Sequence, residues 1–203
     1  LVPSLVFEEL PLPQRIIRDL ANENTTKIQV DSREVFAKLQ EFVEEFVPMM
    51  STRLKHYPGE CPIFDIYNVE ADIQKALQTR VALKSGGYLM IDQTEAMTTI
   101  DVNTGSYVGG RTLEDTVFKT NMEATQVIVR QLRLRNLGGI IIIDFIDMQE
   151  ASHRDEVLQQ FEKVLERDHA KTKITQVSEL GLVEMTRKRP RESLEHLLCE
   201  SCP

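Results

Sequence analysis

The sequence predicts an α/β (α+β) fold, and three observations carry that expectation. Residues 97–103, Met-Thr-Thr-Ile-Asp-Val-Asn, are rich in β-branched side chains and alternate with period two, the mark of a strand. Residues 138–145, Gly-Gly-Ile-Ile-Ile-Ile-Asp-Phe, form an apolar run read as a central strand covered on both faces, with strand character out to Asp147. Between them, 112–135 reads as one long helix. Strand, helix and strand make a βαβ crossover, which joins parallel strands.

Taken in order, the chain opens on a stretch with Pro3, Pro11 and Pro13 that holds a short helical pattern around Arg15 to Leu20. Residues 28–30 read as a strand. Asp31 or Ser32 then caps a helix over 33–46, whose stripe of Val35, Phe36, Leu39, Phe42, Val43 and Phe46 is that of an amphipathic core helix. A turn between Pro58 and Pro62 leads to a helix over 69–81. Ser85-Gly86-Gly87 breaks the chain before a strand over 88–92, and 93–96 turn it into the strand at 97–103 as a hairpin. A glycine-containing loop precedes the long helix, with Thr112 as N-cap and Asp115 closing a capping box. Asn136-Leu137-Gly138-Gly139 end that helix. A helix over 155–168, strands over 172–177 and 182–186, and the cationic run Arg187-Lys188-Arg189-Pro190-Arg191 follow.

The 203 residues suffice for one good core or two modest domains, and 41% hydrophobic with 28% charged residues describes a globular protein. No run approaches the roughly 18–20 apolar residues of a membrane span, and no cationic, apolar leader is present. A cytoplasmic protein is expected. The chain starts at Leu1 rather than Met, which reads as a piece of something longer. Three cysteines, Cys61, Cys199 and Cys202, are too few and too uneven for a disulfide framework. The net charge of −8 argues mildly against a nucleic-acid partner, although a metal-dependent nuclease concentrates acids at its centre.

Alternation places Met97, Thr99, Asp101 and Asn103 on one strand face. Parallel pairing then sets Asp101 and Asp144 at the same C-terminal sheet edge, where ligands bind in open α/β sheets. Two carboxylates with an amide beside one of them suit Mg²⁺, a hard ion that takes oxygen ligands and keeps several waters. On spacing alone, the same aspartates serve equally as caps of the loops that follow. Asp147, of opposite parity, and Asp92, on the neighbouring strand, are weaker candidates. The run 187–191 can grip phosphate, but a solvated loop is the simpler reading. Cys199 and Cys202 supply half of a tetrahedral zinc site. His56 and Cys61 lack partners at ligand spacing and read as structural. The sequence has no glycine-rich phosphate loop or nucleophile elbow, and His56, His153, His169 and His196 assemble no serine–histidine–acid arrangement.

The stretches SGGYLMIDQTEAMTTIDVNTG (85–105), RQLRLRNLGGIIIIDFIDM (130–148) and GLVEMTRKR (181–189) strongly resemble the bacterial ribonuclease E/G family. HYPGECPIF (56–64) and Cys202-Pro203 resemble it too, so the likeness covers nearly the whole chain. The resemblance implies a Mg²⁺-dependent endoribonuclease of RNA processing and decay that cleaves single-stranded RNA and leaves 5′-phosphate ends. It implies catalytic positions at Asp101, Asn103 and Asp144, with Asp101 and Asp144 holding the ion. It implies an RNase H-like subdomain over 1–84, a deoxyribonuclease-I-like catalytic subdomain over 85–198, and the start of a zinc-link segment over 199–203. Cys202 matches the first cysteine of the family's Cys-Pro-x-Cys link, through which Zn²⁺ joins two protomers. The family's OB-type RNA-binding domain and 5′-end sensor would precede Leu1, which leaves this chain a catalytic core with weak, salt-dependent RNA binding. In a mechanism built from the residues themselves, Lys171, Arg187 and Arg189 hold flanking phosphates. Two other readings stay open: a non-catalytic RNA-binding scaffold whose acids cap loops, and a phosphodiesterase for small molecules.

Overall fold

The computed structural model describes residues 9–105, 113–177, 182–189 and 191–199. The chain divides into two compact units, Leu1–Glu70 and Ala71–Pro203.

In the first unit, α1 (Leu12–Leu20) precedes β1 (Ile28–Val30), α2 (Arg33–Phe46) and β2 (Leu54–His56), and the two short strands pair in parallel. The Ser32 hydroxyl caps α2 by accepting the Val35 N–H at 3.3 Å. Apolar residues at helical spacing on α2 (Leu39, Phe42 and Val43) meet Ile17, Met50 and Leu54 in a small core. After α3 (Ile63–Ile66), α4 (Val69–Ala76) spans the division between the units.

The second unit is a six-stranded sheet in the order β3-β4-β5-β6-β8-β7, made of β3 (Arg80–Ala82), β4 (Tyr88–Gln93), β5 (Met97–Asn103), β6 (Gly139–Asp144), β7 (Thr172–Val177) and β8 (Leu182–Arg187). The expected helix over 69–81 is therefore too long. It stops at Ala76, and Arg80–Ala82 pair antiparallel with β4, because Val81 packs against the core of the sheet. That pairing joins 80–82 to the sheet of the second unit, which begins at Ala71.

The β5–β6 pair is parallel, as the crossover requires, and α5 (Leu113–Leu134) makes the connection. Thr112 and the glycines at 109–110 lie outside the described residues. The C-terminus of α5 is a Schellman turn built on asparagine. Asn136 takes φ 51°, Asn136 N–H reaches the Arg133 carbonyl at 3.3 Å, and Leu137 N–H reaches Leu132 at 2.9 Å. α6 runs Ala151–Leu165, a turn earlier than the periodicity placed it, and α7 (Leu194–Leu198) closes the described chain. β8 inserts between β6 and β7 and runs antiparallel to both, so the second crossover does not join neighbours.

One face of this sheet packs on the helices. Leu89, Ile91, Ile100, Val102, Ile141, Ile143, Val183 and Met185 are buried there with Ala124, Ile128 and Leu132 of α5 and Val157 and Phe161 of α6. The other face is open, which corrects the reading of β6 as covered on both sides. Ile140 is 50% exposed and Ile142 only half-buried. A run of isoleucines has no alternation to reveal which face meets solvent.

Candidate active site

Asp101 and Asp144 are direct partners across the parallel β5–β6 pair. The row they form continues to Met90 on β4 and Leu182 on β8. On β5, Thr98, Ile100 and Val102 are buried while Met97, Thr99, Asp101 and Asn103 turn to the open face, as the alternation predicts. Both carboxylates are exposed at the C-terminal edge of their strands. Asn103, one same-face step beyond Asp101, donates from Nδ2 to Asp101 Oδ2 at 2.8 Å. Two glycines hold this corner. A Cβ on Gly87 would stand 2.5 Å from the Asn103 carbonyl oxygen, and Gly105, at φ +64°, would meet the Gly86 carbonyl at 2.6 Å.

Burial, followed by the charges of Asp101 and Asp147, raises the Asp144 carboxyl above its ordinary range. A cation between the two aspartates would relieve that repulsion. Among the described residues no group of three or more His, Cys, Asp or Glu side chains is placed to hold a metal ion. The donor set is thus two carboxylates with an amide beside them. That set fits Mg²⁺, which binds through one or two carboxylates and leaves the rest of its octahedron to water and phosphate oxygens. Among the described residues no backbone N–H donates to either aspartate, and residues 106–112 of the loop after Asn103 lie outside the described ones.

The segment after Asp144 is fixed by residues that sequence reasoning passed over. β6 ends at Asp144 rather than Asp147 because the Asn121 side chain takes over the next backbone groups. Its Nδ2 donates to the Ile146 carbonyl at 2.8 Å, and its Oδ1 accepts the Ile146 N–H at 3.1 Å. Asn121 is fully buried on α5. Its only signal was an amide on the helical stripe shared with Val117, Ala124 and Ile128. Glu114, in the first turn of α5, accepts the N–H groups of Gln149 (3.1 Å) and Glu150 (3.3 Å) and meets His153 Nδ1 at 3.1 Å. The His153 ring stacks on Phe118 with centroids 4.3 Å apart. Burial works to raise the Glu114 carboxyl, but the two N–H donors and His153 outweigh it and the net shift is downward.

The expected RNA-gripping cations sit elsewhere. Arg187 is not in a loop but ends β8, with its side chain facing the core and 4% exposed. Its Nε donates to Asp168 at 2.7 Å, Nη2 to the same carboxylate at 3.2 Å, and Nη1 to the Leu137 carbonyl at 2.6 Å. A guanidinium so enclosed cannot reach a phosphate, and its role is corrected to a structural one. Arg189 is exposed but spends Nη2 on the Gly138 carbonyl at 3.1 Å, while Lys171 is exposed. Because Gly139 pairs with Arg187 and Asp144 with Leu182, this cationic end lies about 17 Å along the sheet from the aspartates. Asp92 is exposed on the open face one row from Asp101, and Asp147 acts on Asp144 through its charge. Cys61 and Cys199 are exposed free thiols, Cys202 lies outside the described residues, and His56 packs edge-on to Phe36.

Comparison with known proteins places the chain by sequence. The family model for the ribonuclease E/G family matches residues 1–190. The chain is 60% identical over 198 residues to the protein named ribonuclease G of Salmonella typhimurium strain SL1344, covering 98% of this chain and 40% of that one. It is 58% identical over 200 residues to the ribonuclease G of Haemophilus influenzae, covering 98% of this chain and 41% of that protein. Against the ribonuclease E of Nostoc sp. PCC 7120 it is 39% identical over 204 residues, covering 99% of this chain and 30% of the other. The chain therefore spans about two fifths of the length of the ribonuclease G relatives.

Proposed function

The chain belongs to the ribonuclease E/G family, and from that premise we propose that it carries the hydrolytic centre of a Mg²⁺-dependent endoribonuclease acting on single-stranded RNA. The observation that carries the proposal is the in-register pair Asp101–Asp144 with Asn103 bonded to one member. Asp101 and Asp144 would hold the ion, which when bound lowers the pKa of a coordinated water and stabilises charge on a phosphodiester. Asn103 keeps Asp101 oriented through one N–H and has a second N–H and a carbonyl oxygen free for a phosphate oxygen or the attacking water. Attack of water at phosphorus forms a new P–O bond, the bond to the 3′ oxygen breaks and that oxygen takes up a proton. The downstream product keeps a 5′-phosphate. The clamps of Asn121 and Glu114 hold the loop that follows Asp144 and so limit its freedom to move.

In an intact protein of this family we assign the main RNA grip to domains outside this chain, and to Cys202 one thiolate of a Zn²⁺ link between two copies. A structural zinc site wants four such ligands. No helix among the described residues is long and apolar enough to cross a membrane. A cytoplasmic location is part of the same proposal.

The test is a gel assay on a short fluorescent single-stranded RNA. Cleavage with Mg²⁺, its loss in EDTA, and its loss in Asp101→Asn and Asp144→Asn are expected. RNA binding without cleavage under any of these conditions would overturn the hydrolytic reading in favour of a scaffold.

A further inference from the structure

The open face of the sheet carries a second constellation, at the end away from the aspartates. On β7 and β8, the parity that turns Ile174 and Met185 into the core turns Lys173 and Thr186 outward. Thr186 pairs with Lys173 on one side and with Ile140 of β6 on the other. One same-face step further, the Lys188 N–H bonds the Lys171 carbonyl at 2.9 Å, so the ladder extends and adds two more lysines to this face. Lys171, Lys173 and Lys188 are all exposed. With Gly139, Ile140 and Thr186 they line a recess of about 480 Å³ that no carboxylate enters.

Three features say what this recess takes. None of the three lysines forms an ion pair among the described residues, and all three belong to a chain of net charge −8. Ammonium groups gathered without counter-charges repel one another until an anion arrives. The floor beside them is apolar and bare, since Ile140 is half exposed and a Cβ on Gly139 would meet nothing within 4 Å. Such a floor suits a ribose or base lying next to its phosphate. Finally, Ile140 and Asp144 share one face of one strand, about 13 Å apart, so the recess and the aspartates open to the same side.

We propose that Lys171, Lys173 and Lys188 form a second subsite for single-stranded RNA, which holds the backbone of the same strand a few nucleotides from the phosphate at Asp101 and Asp144. The inference rests on the ribonuclease reading of that pair. It replaces buried Arg187 with its neighbour Lys188 and adds Lys173, which no motif singled out, so that the grip on RNA belongs to one face of the sheet.

The experiment is fluorescence anisotropy of the whole chain with a labelled single-stranded RNA, in EDTA to prevent cleavage, across a salt series. Each Lys→Gln change at 171, 173 or 188 should reduce the slope of log affinity against log salt by about 0.7, the value of one lost phosphate contact on a single strand. Lys173→Arg should keep the slope. Lys163→Gln, on the exposed side of α6, should leave it unchanged. A wild-type chain that binds no RNA would overturn this inference and leave the ribonuclease reading to the cleavage assay. Binding whose slope ignores the three lysines, or falls as much for Lys163→Gln, would overturn the subsite alone. So would displacement of RNA by polyglutamate as readily as by unlabelled RNA, which would assign the recess to an acidic protein segment.

Discussion

Asp101 and Asp144 face each other across a parallel strand pair, and Asp144 also feels the charge of Asp147. Its carboxyl is raised by burial first and by these two neighbours next. The folded chain thus binds a proton at Asp144 more readily than the unfolded chain does. Stability falls as pH rises out of the ordinary aspartate range through the raised value, and the loss is complete above it. Asp144→Asn should therefore raise the melting temperature of the metal-free chain at neutral pH, and the difference should vanish in acid. Mg²⁺ should raise the wild-type melting temperature by binding the folded state, and raise neither Asp101→Asn nor Asp144→Asn. Equal shifts in all three chains would remove the ion from this pair.

That pair was legible in the sequence for simple reasons. Alternation assigned Asp101 and Asn103 to one face, the helix between two strands required parallel pairing, and parallel pairing brought both aspartates to one edge. What supports the pair was hidden, because it depends on contacts made at long range. Nothing local says that Asn121 will meet Ile146, or that Glu114 will cap the turn at Gln149 and Glu150. Arg187 misled for the same reason. In a run of cations it looks solvated, and only the antiparallel pairing of β8 turns it inward onto Asp168. β3 was lost inside a helical pattern, since a three-residue strand has too few positions to show a period.

The Arg187–Asp168 pair, 4% and 3% exposed, gives a stability prediction. Burial works to raise the Asp168 carboxyl, but the hydrogen bond from Arg187, the Ala170 N–H and the charges of Arg187 and Arg133 together hold it below its ordinary range. Its contribution is therefore present above that range and fades as pH falls through it. Asp168→Ala should cost about 3–5 kcal/mol in denaturant titration, because it strands a buried guanidinium. Replacing both residues with apolar ones should cost much less and flatten the acid-side loss. A single variant as stable as wild type would show that the guanidinium escapes to solvent.

Asn121 offers a test of positioning. It satisfies both backbone groups of Ile146, two residues past Asp144. Asn121→Ala should destabilise the chain by about 1–3 kcal/mol, the penalty for leaving a buried polar group without a partner. It should also slow cleavage by loosening Asp144 while leaving the RNA affinity measured in EDTA unchanged. Asn121→Asp keeps the acceptor for Ile146 N–H and should retain more of the rate than alanine does. If alanine lowers stability yet leaves the rate per folded molecule intact, Asn121 is structural only.

Asn103 separates orientation from metal holding. Its Nδ2 is bonded to Asp101 at 2.8 Å, so it acts on the proposed ion through a ligand as well as facing the substrate side. Partners of this kind typically change metal affinity or activity by about 10–100-fold when removed. Asn103→Ala should therefore slow cleavage by about that factor and still show a Mg²⁺-dependent rise in melting temperature, since both carboxylates remain. Asn103→Asp sharpens the contrast. A third acid on this face loses the N–H donor to Asp101 and adds repulsion, so the metal-free chain should melt lower and respond more strongly to Mg²⁺. Its cleavage rate should still fall, because the amide hydrogens are gone. Cleavage at the wild-type rate in Asn103→Asp would show that an acceptor suffices at this position, and would remove the amide from the chemistry.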